Sequence, residues 1–444
     1  MGADTDSLLE QFVEAACAPY HGHSEGSLGQ AEALLAAHPD LRERGIQVAA
    51  ILGDAAAIRR GLERDPASAT AKGLRGWDPL TSLCFSRYLK LDADARGFVE
   101  AATALLEAGA SPTTGFQQED EYESVLYGAA GVAHHPELTR LLLERGADPN
   151  DEEVPYHSPE SYDNRALRIL VESGRMTADS LTTMLLRKHD WHDGEGARWL
   201  LEHGADPNRR TRWRTTPFQH ALQRDNALEI IATSLDHGAD PMLAGLDGSA
   251  LQIAARRGRR DVLELLERRG VPLELQGTDA LLAACAKDDG AVMRSIAGRE
   301  PGLVRELVAG GGRSLVEFAG VGNTEGIRNL LDLGVPVAAL FREGDPYWDL
   351  AANSTALHAA AWRGRPATVA MLIDRGAPIE ALDARGRTPL ALALRACVDS
   401  YWMERRTTES IRALIEAGAS TRGLSLPSGY AEADELLLRR GAER

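Results

Sequence analysis

The chain has 444 residues, of which 44% are hydrophobic and 26% charged, as in ordinary folded proteins. Because this length exceeds what one compact core usually supports, either several domains or a repeat array is expected. The formal net charge of -17 would repel phosphate backbones and argues against a nucleic-acid partner.

The N-terminal segment is acidic and lacks an apolar run flanked by positive charge, so we predict no secretory signal. The chain has no stretch of 18 apolar residues, which argues against a membrane span. Its cysteines, without CxxC spacing, are predicted to be packing residues in a reducing compartment: Cys17, Cys84, Cys285 and Cys397. These features together predict a cytoplasmic protein without a cofactor.

Glycine punctuates the chain at regular intervals, each time after a short apolar run. The intervals are 34 residues from Gly204 to Gly238 and 32 residues from Gly238 to Gly270. Glycine most easily adopts the left-handed conformation that ends a helix. The pattern therefore predicts an array of short helices, with unit ends at Gly109, Gly146, Gly204, Gly238, Gly270, Gly334, Gly376 and Gly418.

The clearest unit is the segment TALHAAAWRGRPATVAMLIDRGAPIE, residues 355–380, and a second start, Thr388, lies 33 residues after Thr355. Two apolar runs with helical spacing flank a glycine turn at Gly364, which predicts a helical hairpin. The runs consist of Leu357, Ala360 and Ala361, then Val369, Leu372 and Ile373.

These residues resemble the ankyrin-repeat family, whose unit opens Thr-Pro-Leu-His-x-Ala and continues with a Gly-His turn, a leucine run and Gly-Ala-Asp. The alanine-rich, arginine-rich and lysine-poor composition suggests a bacterial member. The resemblance implies an all-α solenoid of about eleven helix-turn-helix units, some degenerate, with β-hairpin fingers between them. It also implies a structural hydrogen-bonding role for His358. The matching positions are Thr355, Leu357, His358, Ala360, Ala361 and Gly364, with Thr216-Pro217 and Thr388-Pro389-Leu390 as further openings.

The repeat boundaries predict three regions. Residues 1–45 form an N-terminal helical cap, residues 46–421 the ankyrin-repeat solenoid, and residues 422–444 a C-terminal half-repeat cap. Caps are expected because terminal repeats need a polar outer face. Two insertions, at 84–98 and 397–410, lengthen the turn between paired helices, and we interpret both as internal packing.

Three loops between units differ from the repeat pattern and are predicted to be finger tips. In chain order they are FQQEDEYE at 116–123, NRRTRWR at 208–214 and FREGDPYWDLA at 341–351. Trp, Tyr and Arg are the usual energetic anchors of protein interfaces. These loops predict a recognition surface, and the alternative is that their aromatic side chains fold back as local packing. The candidate partner-binding residues are Phe116, Tyr122, Arg210, Arg212, Trp213, Arg214, Phe341, Tyr347 and Trp348.

Two adjacent degenerate units, between residues 154 and 204, carry an unusual density of polar residues. Titratable groups held together on a rigid scaffold are what acid-base catalysis or a metal site requires. The candidate catalytic residues are His157, Glu160, His189, Asp190 and His192, with Tyr162 and Asp193 nearby. His189 and His192 are the weak metal-ligand candidates, although the sequence predicts no metal site. The alternative is a purely structural role for these side chains.

The leading functional prediction is a scaffold that binds another protein through a concave surface of fingers and first helices. The alternative is an enzyme or small-ligand binder that uses the polar cluster at 154–204, through acid-base or metal-assisted chemistry. A P-loop, an HExxH motif and a dinucleotide fingerprint are all missing from the sequence, so no enzyme class is assigned.

Overall fold

A computed structural model of the chain describes residues 2–18, 28–91, 96–400 and 402–439. It divides into two compact units, Met1–Pro217 and Phe218–Arg444. Both units are built almost entirely of short α-helices, which confirms the prediction of a mostly helical, all-α chain.

The first unit contains twelve α-helices within its described residues. Its helices are α1 Gly2–Ala16, α2 Leu28–Ala37, α3 Ile46–Ile51, α4 Ala55–Arg64, α5 Pro79–Cys84, α6 Arg96–Glu107, α7 Val125–Tyr127, α8 Pro136–Glu144, α9 Glu153–His157, α10 Arg165–Glu172, α11 Ala178–Asp190 and α12 Gly194–Glu202. Between α6 and α7, strands β1 Gly115–Gln118 and β2 Glu121–Ser124 form an antiparallel hairpin in which Phe116 lies opposite Glu123.

Two layers of helices build this first unit. One layer follows α3, α5, α7, α9 and α11, each in contact with the next, and the other follows α4, α6, α8 and α10. The core lies between the layers and consists largely of Leu and Ala, including Leu83, Leu105, Leu138, Leu167 and Leu200. Helices α1 and α2 contact each other, residues 19–27 lie outside the described ranges, and the cap at 1–45 stays a prediction.

The second unit continues the pattern of short paired helices. Its helices are α13 Pro217–Gln223, α14 Leu228–Asp236, α15 Ala250–Arg256, α16 Arg260–Arg268, α17 Gly277–Lys287, α18 Gly290–Arg299, α19 Pro301–Gly310, α20 Gly312–Val321, α21 Thr324–Asp332, α22 Ala356–Trp362, α23 Pro366–Asp374, α24 Pro389–Asp399, α25 Glu409–Glu416 and α26 Ala431–Arg439. Helices α20, α22 and α24 pack in one row and α21, α23 and α25 in a second row.

The local signals read from the sequence form helix ends in the structure. Thr355 and His358 form a capping box at the start of α22, and the His358 Nε2 lies 3.0 Å from the carbonyl oxygen of Arg387. Gly376 follows α23 with a φ of 79°, in the left-handed region that glycine occupies without strain. His358 therefore has the structural role that the resemblance implied.

The predicted turn insertions both contain a turn of 3-10 helix. Arg87–Lys90 lies in the first and Met403–Arg405 in the second, where Trp402 is buried. Residues 92–95 and residue 401 are outside the described ranges. All four cysteines are buried free thiols, in agreement with a packing role. In the part of the chain that the structure describes, no helix combines the length and the apolar character needed to span a bilayer.

Candidate functional site

The finger at 116–123 is the β1–β2 hairpin, and its two aromatic candidates differ in environment. Phe116 is half-buried and stacks on Trp77 with ring centroids 4.5 Å apart. Tyr122 is 45% exposed, and its hydroxyl donates to the carbonyl oxygen of Thr113 at 3.0 Å. Tyr122 is therefore available at the surface, whereas Phe116 supports the hairpin from within.

The finger at 208–214 is a compact turn held by its own backbone. The N–H of Thr211 donates to the carbonyl oxygen of Thr215 at 2.9 Å, and the N–H of Arg214 donates to that of Thr211, also at 2.9 Å. These bonds fix the position of the residues between them. The exposed basic side chains of the turn are Arg209, Arg210, Arg212 and Arg214.

Trp213 lies on the outside of this turn and is 40% exposed. Its ring centroid is 5.7 Å from that of Tyr156, and the guanidinium of Arg212 lies 4.7 Å from the Trp213 ring. Arg212 also forms an ion pair with Glu152, next to α9. Trp213 is thus an exposed aromatic side chain that its neighbours hold in one place.

The polar cluster in the degenerate units centres on two cations, His157 and Arg187. The His157 Nε2 lies 3.0 Å from Glu153 and its Nδ1 lies 3.0 Å from Glu160. Burial opposes protonation of His157, but its hydrogen bonds to Glu153 and Glu160 outweigh burial and raise its pKa to about 9. Arg187 pairs with both Glu160 and Asp190. These five side chains form an internally paired network.

The other polar candidates of this region are not members of those four ion pairs. His189 is fully buried on α11, and His192 has a φ of 52° in the turn that follows. Asp193 caps α12 and accepts a hydrogen bond from the buried Lys188 at 2.8 Å. Tyr162 is 52% exposed, and its hydroxyl donates to a backbone carbonyl. The structure therefore brings together His157, Glu160 and Asp190 from the predicted set, and Glu153 and Arg187 join them.

His189 and His192 were the metal-ligand candidates, and a metal site would need further ligand atoms close to them. Among the described residues, the group of three potential ligands that all lie within 4.8 Å of one another consists of Glu121, Glu123 and Glu153, and neither His189 nor His192 belongs to it.

The finger at 341–351 in the second unit folds inward, which corrects the expectation for two candidates. Phe341 is 3% exposed and Trp348 is 6% exposed. The guanidinium carbons of Arg363 and Arg257 lie 3.2 Å and 4.5 Å from the centroid of the Trp348 ring, which also packs against Trp402. These long-range contacts bury the ring, so the prediction that Phe341 and Trp348 belong to an exposed recognition surface is wrong.

Tyr347, in the same loop, does reach the surface. It is 52% exposed, and its ring lies 4.0 Å from the guanidinium carbon of Arg224. The Tyr347 hydroxyl is 3.4 Å from Nε2 of His220. Both partners belong to α13 or the residue after it, so the loop crosses the second unit and rests on its first helix.

Sequence reasoning missed a cluster of four arginines around Asp225 in the second unit. Oδ1 of this 3% exposed carboxylate is 3.1 Å from Arg259, and Oδ2 is 2.6 Å from Arg363, 2.9 Å from Arg365 and 3.0 Å from Arg405. Burial opposes ionisation, but the four guanidinium groups outweigh it and hold the pKa of Asp225 far below its usual range. The sequence signal that could have indicated this cluster is the arginine next to the turn glycine, as in Arg259 beside Gly258 and in Arg363 and Arg365 on either side of Gly364.

Two segments of the chain resemble known sequences. Residues 353–384, the segment that contains α22 and α23, match the family model for the ankyrin repeat. A serine/threonine-protein kinase from Arabidopsis thaliana, Serine/threonine-protein kinase 12, is 38% identical over 84 residues. That match covers 19% of this chain and only 16% of the kinase. The predicted ankyrin repeat is therefore confirmed at 353–384, and the bacterial origin stays a prediction.

Proposed function

We propose that this chain, which carries an ankyrin repeat at 353–384, is a scaffold that binds another protein. Ankyrin repeats generally mediate protein-protein interaction, and repeat folds offer extended surfaces for it. We place the partner on a docking surface in the first unit. This docking surface consists of Tyr122, Glu152, Tyr156, Arg212 and Trp213.

We further propose that the helical hairpins of both units are ankyrin repeats, about eleven in number and partly degenerate. The caps would occupy residues 1–45 and 422–444, with the repeats between them at 46–421. Fingers and first helices would then supply the binding side of the concave surface. A cytoplasmic location is part of the same proposal.

The observation that carries the docking surface is the state of Trp213. It is 40% exposed, yet both Tyr156 and Arg212 pack against its ring, at 5.7 Å and 4.7 Å from the ring centroid. A large aromatic side chain that is already ordered loses little entropy when a partner covers it. Interface hot spots are enriched in Trp, Tyr and Arg, the residue types that meet here.

The charge around Trp213 indicates the chemistry of the partner. The turn at 208–214 presents four exposed arginines, of which Arg209 pairs with Asp179 and Arg212 with Glu152, on a chain whose formal charge is -17. A local basic turn on an acidic chain favours a partner that brings carboxylates to this turn. We therefore propose that the partner is a protein with an acidic patch beside an apolar side chain that covers Trp213.

The test is affinity purification from the native host with quantitative mass spectrometry, using the full chain and two variants. Trp213→Ala removes the aromatic anchor, and a double charge reversal, Arg210→Glu with Arg214→Glu, removes the basic character of the turn. We expect each variant to reduce capture of the same protein by about tenfold or more. The matched control is Leu382→Ala, because Leu382 is 59% exposed and lies in the other unit.

Capture that is unchanged by both variants would overturn the docking surface. Circular dichroism of each variant must match the wild type, so that a loss of capture reports on binding and not on folding.

The enzyme alternative gains no support from the polar cluster. Ion pairs account for three of its candidates, since His157 is held between Glu153 and Glu160, and Arg187 pairs with Glu160 and Asp190. An imidazole whose pKa is raised to about 9 is protonated at neutral pH and cannot act as a general base there. We therefore propose binding as the function of this chain.

A further inference from the structure

Three glutamate side chains converge where the β1–β2 hairpin meets α9. Glu121 and Glu123 are alternate residues of β2, so their side chains leave the same face of the strand. Glu153 is the first residue of α9. One carboxylate oxygen of each lies within 4.8 Å of the others. The fold therefore places three carboxyl groups around one small volume.

A second observation shows that this cluster differs from an ordinary acidic surface. Glu123 is only 4% exposed, and its Oε2 is buried without a hydrogen-bond partner among the described residues. A buried carboxylate requires a compensating partner. A cation bound between these oxygens would provide it.

The surrounding residues hold one of these carboxylates in place. Glu153 is 6% exposed, and its Oε2 lies 3.0 Å from Nε2 of His157. His157 is fixed in turn by Glu160, which pairs with Arg187. Carboxylates that bind metal ions are commonly oriented by such hydrogen bonds from neighbouring residues. Glu153 is therefore already positioned for a ligand.

We propose that Glu121, Glu123 and Glu153 bind a hard divalent cation, namely Ca²⁺, Mg²⁺ or Mn²⁺. Oxygen donors alone favour these ions over Zn²⁺, which prefers nitrogen and sulfur ligands. Glu121 is exposed, so the cation can enter from solvent and keep water molecules as its remaining ligands.

The consequence concerns Tyr122, which lies between Glu121 and Glu123 on β2. A cation that joins β2 to α9 would fix the base of the hairpin and hence the position of Tyr122. The site stands independently of the proposed docking function, because its test measures metal binding without any partner.

The test uses the full chain after removal of metals with EDTA. Isothermal titration calorimetry and thermal melts are recorded with the chlorides of Ca²⁺, Mg²⁺, Mn²⁺ and, for contrast, Zn²⁺. We expect saturable binding of one hard cation per chain and a Tm that rises with its concentration. Glu123→Gln should weaken this binding by about tenfold or more. Glu119→Gln, an exposed control in the same hairpin, should bind as the wild type does.

A variant that simply unfolds would not imitate this result. Glu123→Gln replaces one of three converging carboxyl groups at a buried position with a neutral amide, so without metal its Tm should be equal to or higher than that of the wild type. Three outcomes would overturn the site: no saturable binding by the wild type, equal binding by Glu123→Gln, or a response to Zn²⁺ alone. A higher Tm of the metal-free variant without wild-type binding would identify a merely repulsive cluster and equally overturn it.

Discussion

Replacing Trp348 with alanine should lower the free energy of unfolding substantially, because its ring is part of the interior. The side chain is 6% exposed, with the Arg363 guanidinium carbon 3.2 Å from the ring centroid. Deleting a buried Trp typically costs about 3–5 kcal/mol, and a desolvated cation–π contact contributes up to about 2 kcal/mol. We expect a loss near the upper end of the first range, because Arg363 is itself fully buried.

The assay is urea unfolding of the full chain, followed by far-ultraviolet circular dichroism. Since the chain has two compact units, each transition is fitted separately. The matched control is Trp213→Ala, which should cost less than about 1 kcal/mol because Trp213 is 40% exposed. If Trp348→Ala unfolds at the same urea concentration as the wild type, the packing role of this loop is refuted.

Asp225→Asn should lower the free energy of unfolding in urea by about 3–5 kcal/mol, because it leaves buried guanidinium groups without their carboxylate. Asp261→Asn affects only the more exposed pair with Arg259 and should lower it by less than about 1 kcal/mol. Equal costs would contradict this ranking. The Asp225 contribution should be constant above about pH 4 and be lost as the pH falls further, since its pKa is depressed only in the folded chain. The Tm values of wild type and Asp225→Asn should therefore converge in acid, and parallel curves would refute this linkage. Burial lowers the pKa of His134 to about 4 in the folded chain. Between about pH 6.5 and pH 4 the unfolded chain therefore binds this proton more readily, and the folded chain should lose stability as the pH falls through this range. His134→Asn, which suits the positive φ of 50°, should flatten the Tm in this range, and an unchanged pH slope would argue against this role of His134.

Regular repeat residues were predictable because their signals are local. The apolar spacing of 355–380 and the glycine at 376 specify a helical hairpin and its end without reference to the rest of the chain. Helices α22 and α23 and the left-handed Gly376 follow that pattern. The same holds for His358, whose capping partner Thr355 is three residues away.

Long-range contacts were not predictable from the sequence, and they determine which side chains of the loops are buried and which are exposed. Phe341 and Trp348 were expected to be exposed because loop residues usually lie at the surface. Trp348 is instead covered by Arg363 and by Arg257 and Trp402, the last two of which lie far from it in the sequence. A single sequence gives no sign that these residues meet.

The polar cluster illustrates an intermediate case. Its location in the degenerate units was visible, because polar residues stand where the repeat needs small apolar ones. The roles of Glu153 and Arg187 were not visible, since each depends on which helix faces lie opposite one another. The convergence of Glu153 with Glu121 and Glu123 depends in the same way on the packing of β2 against α9.

The most direct test of the binding function is the affinity of the purified partner for the full chain, measured by isothermal titration calorimetry. The docking surface predicts that Trp213→Ala raises Kd by about tenfold or more, while Leu382→Ala leaves it unchanged. An unchanged Kd both for Trp213→Ala and for the double variant Arg210→Glu with Arg214→Glu would contradict the proposed docking surface.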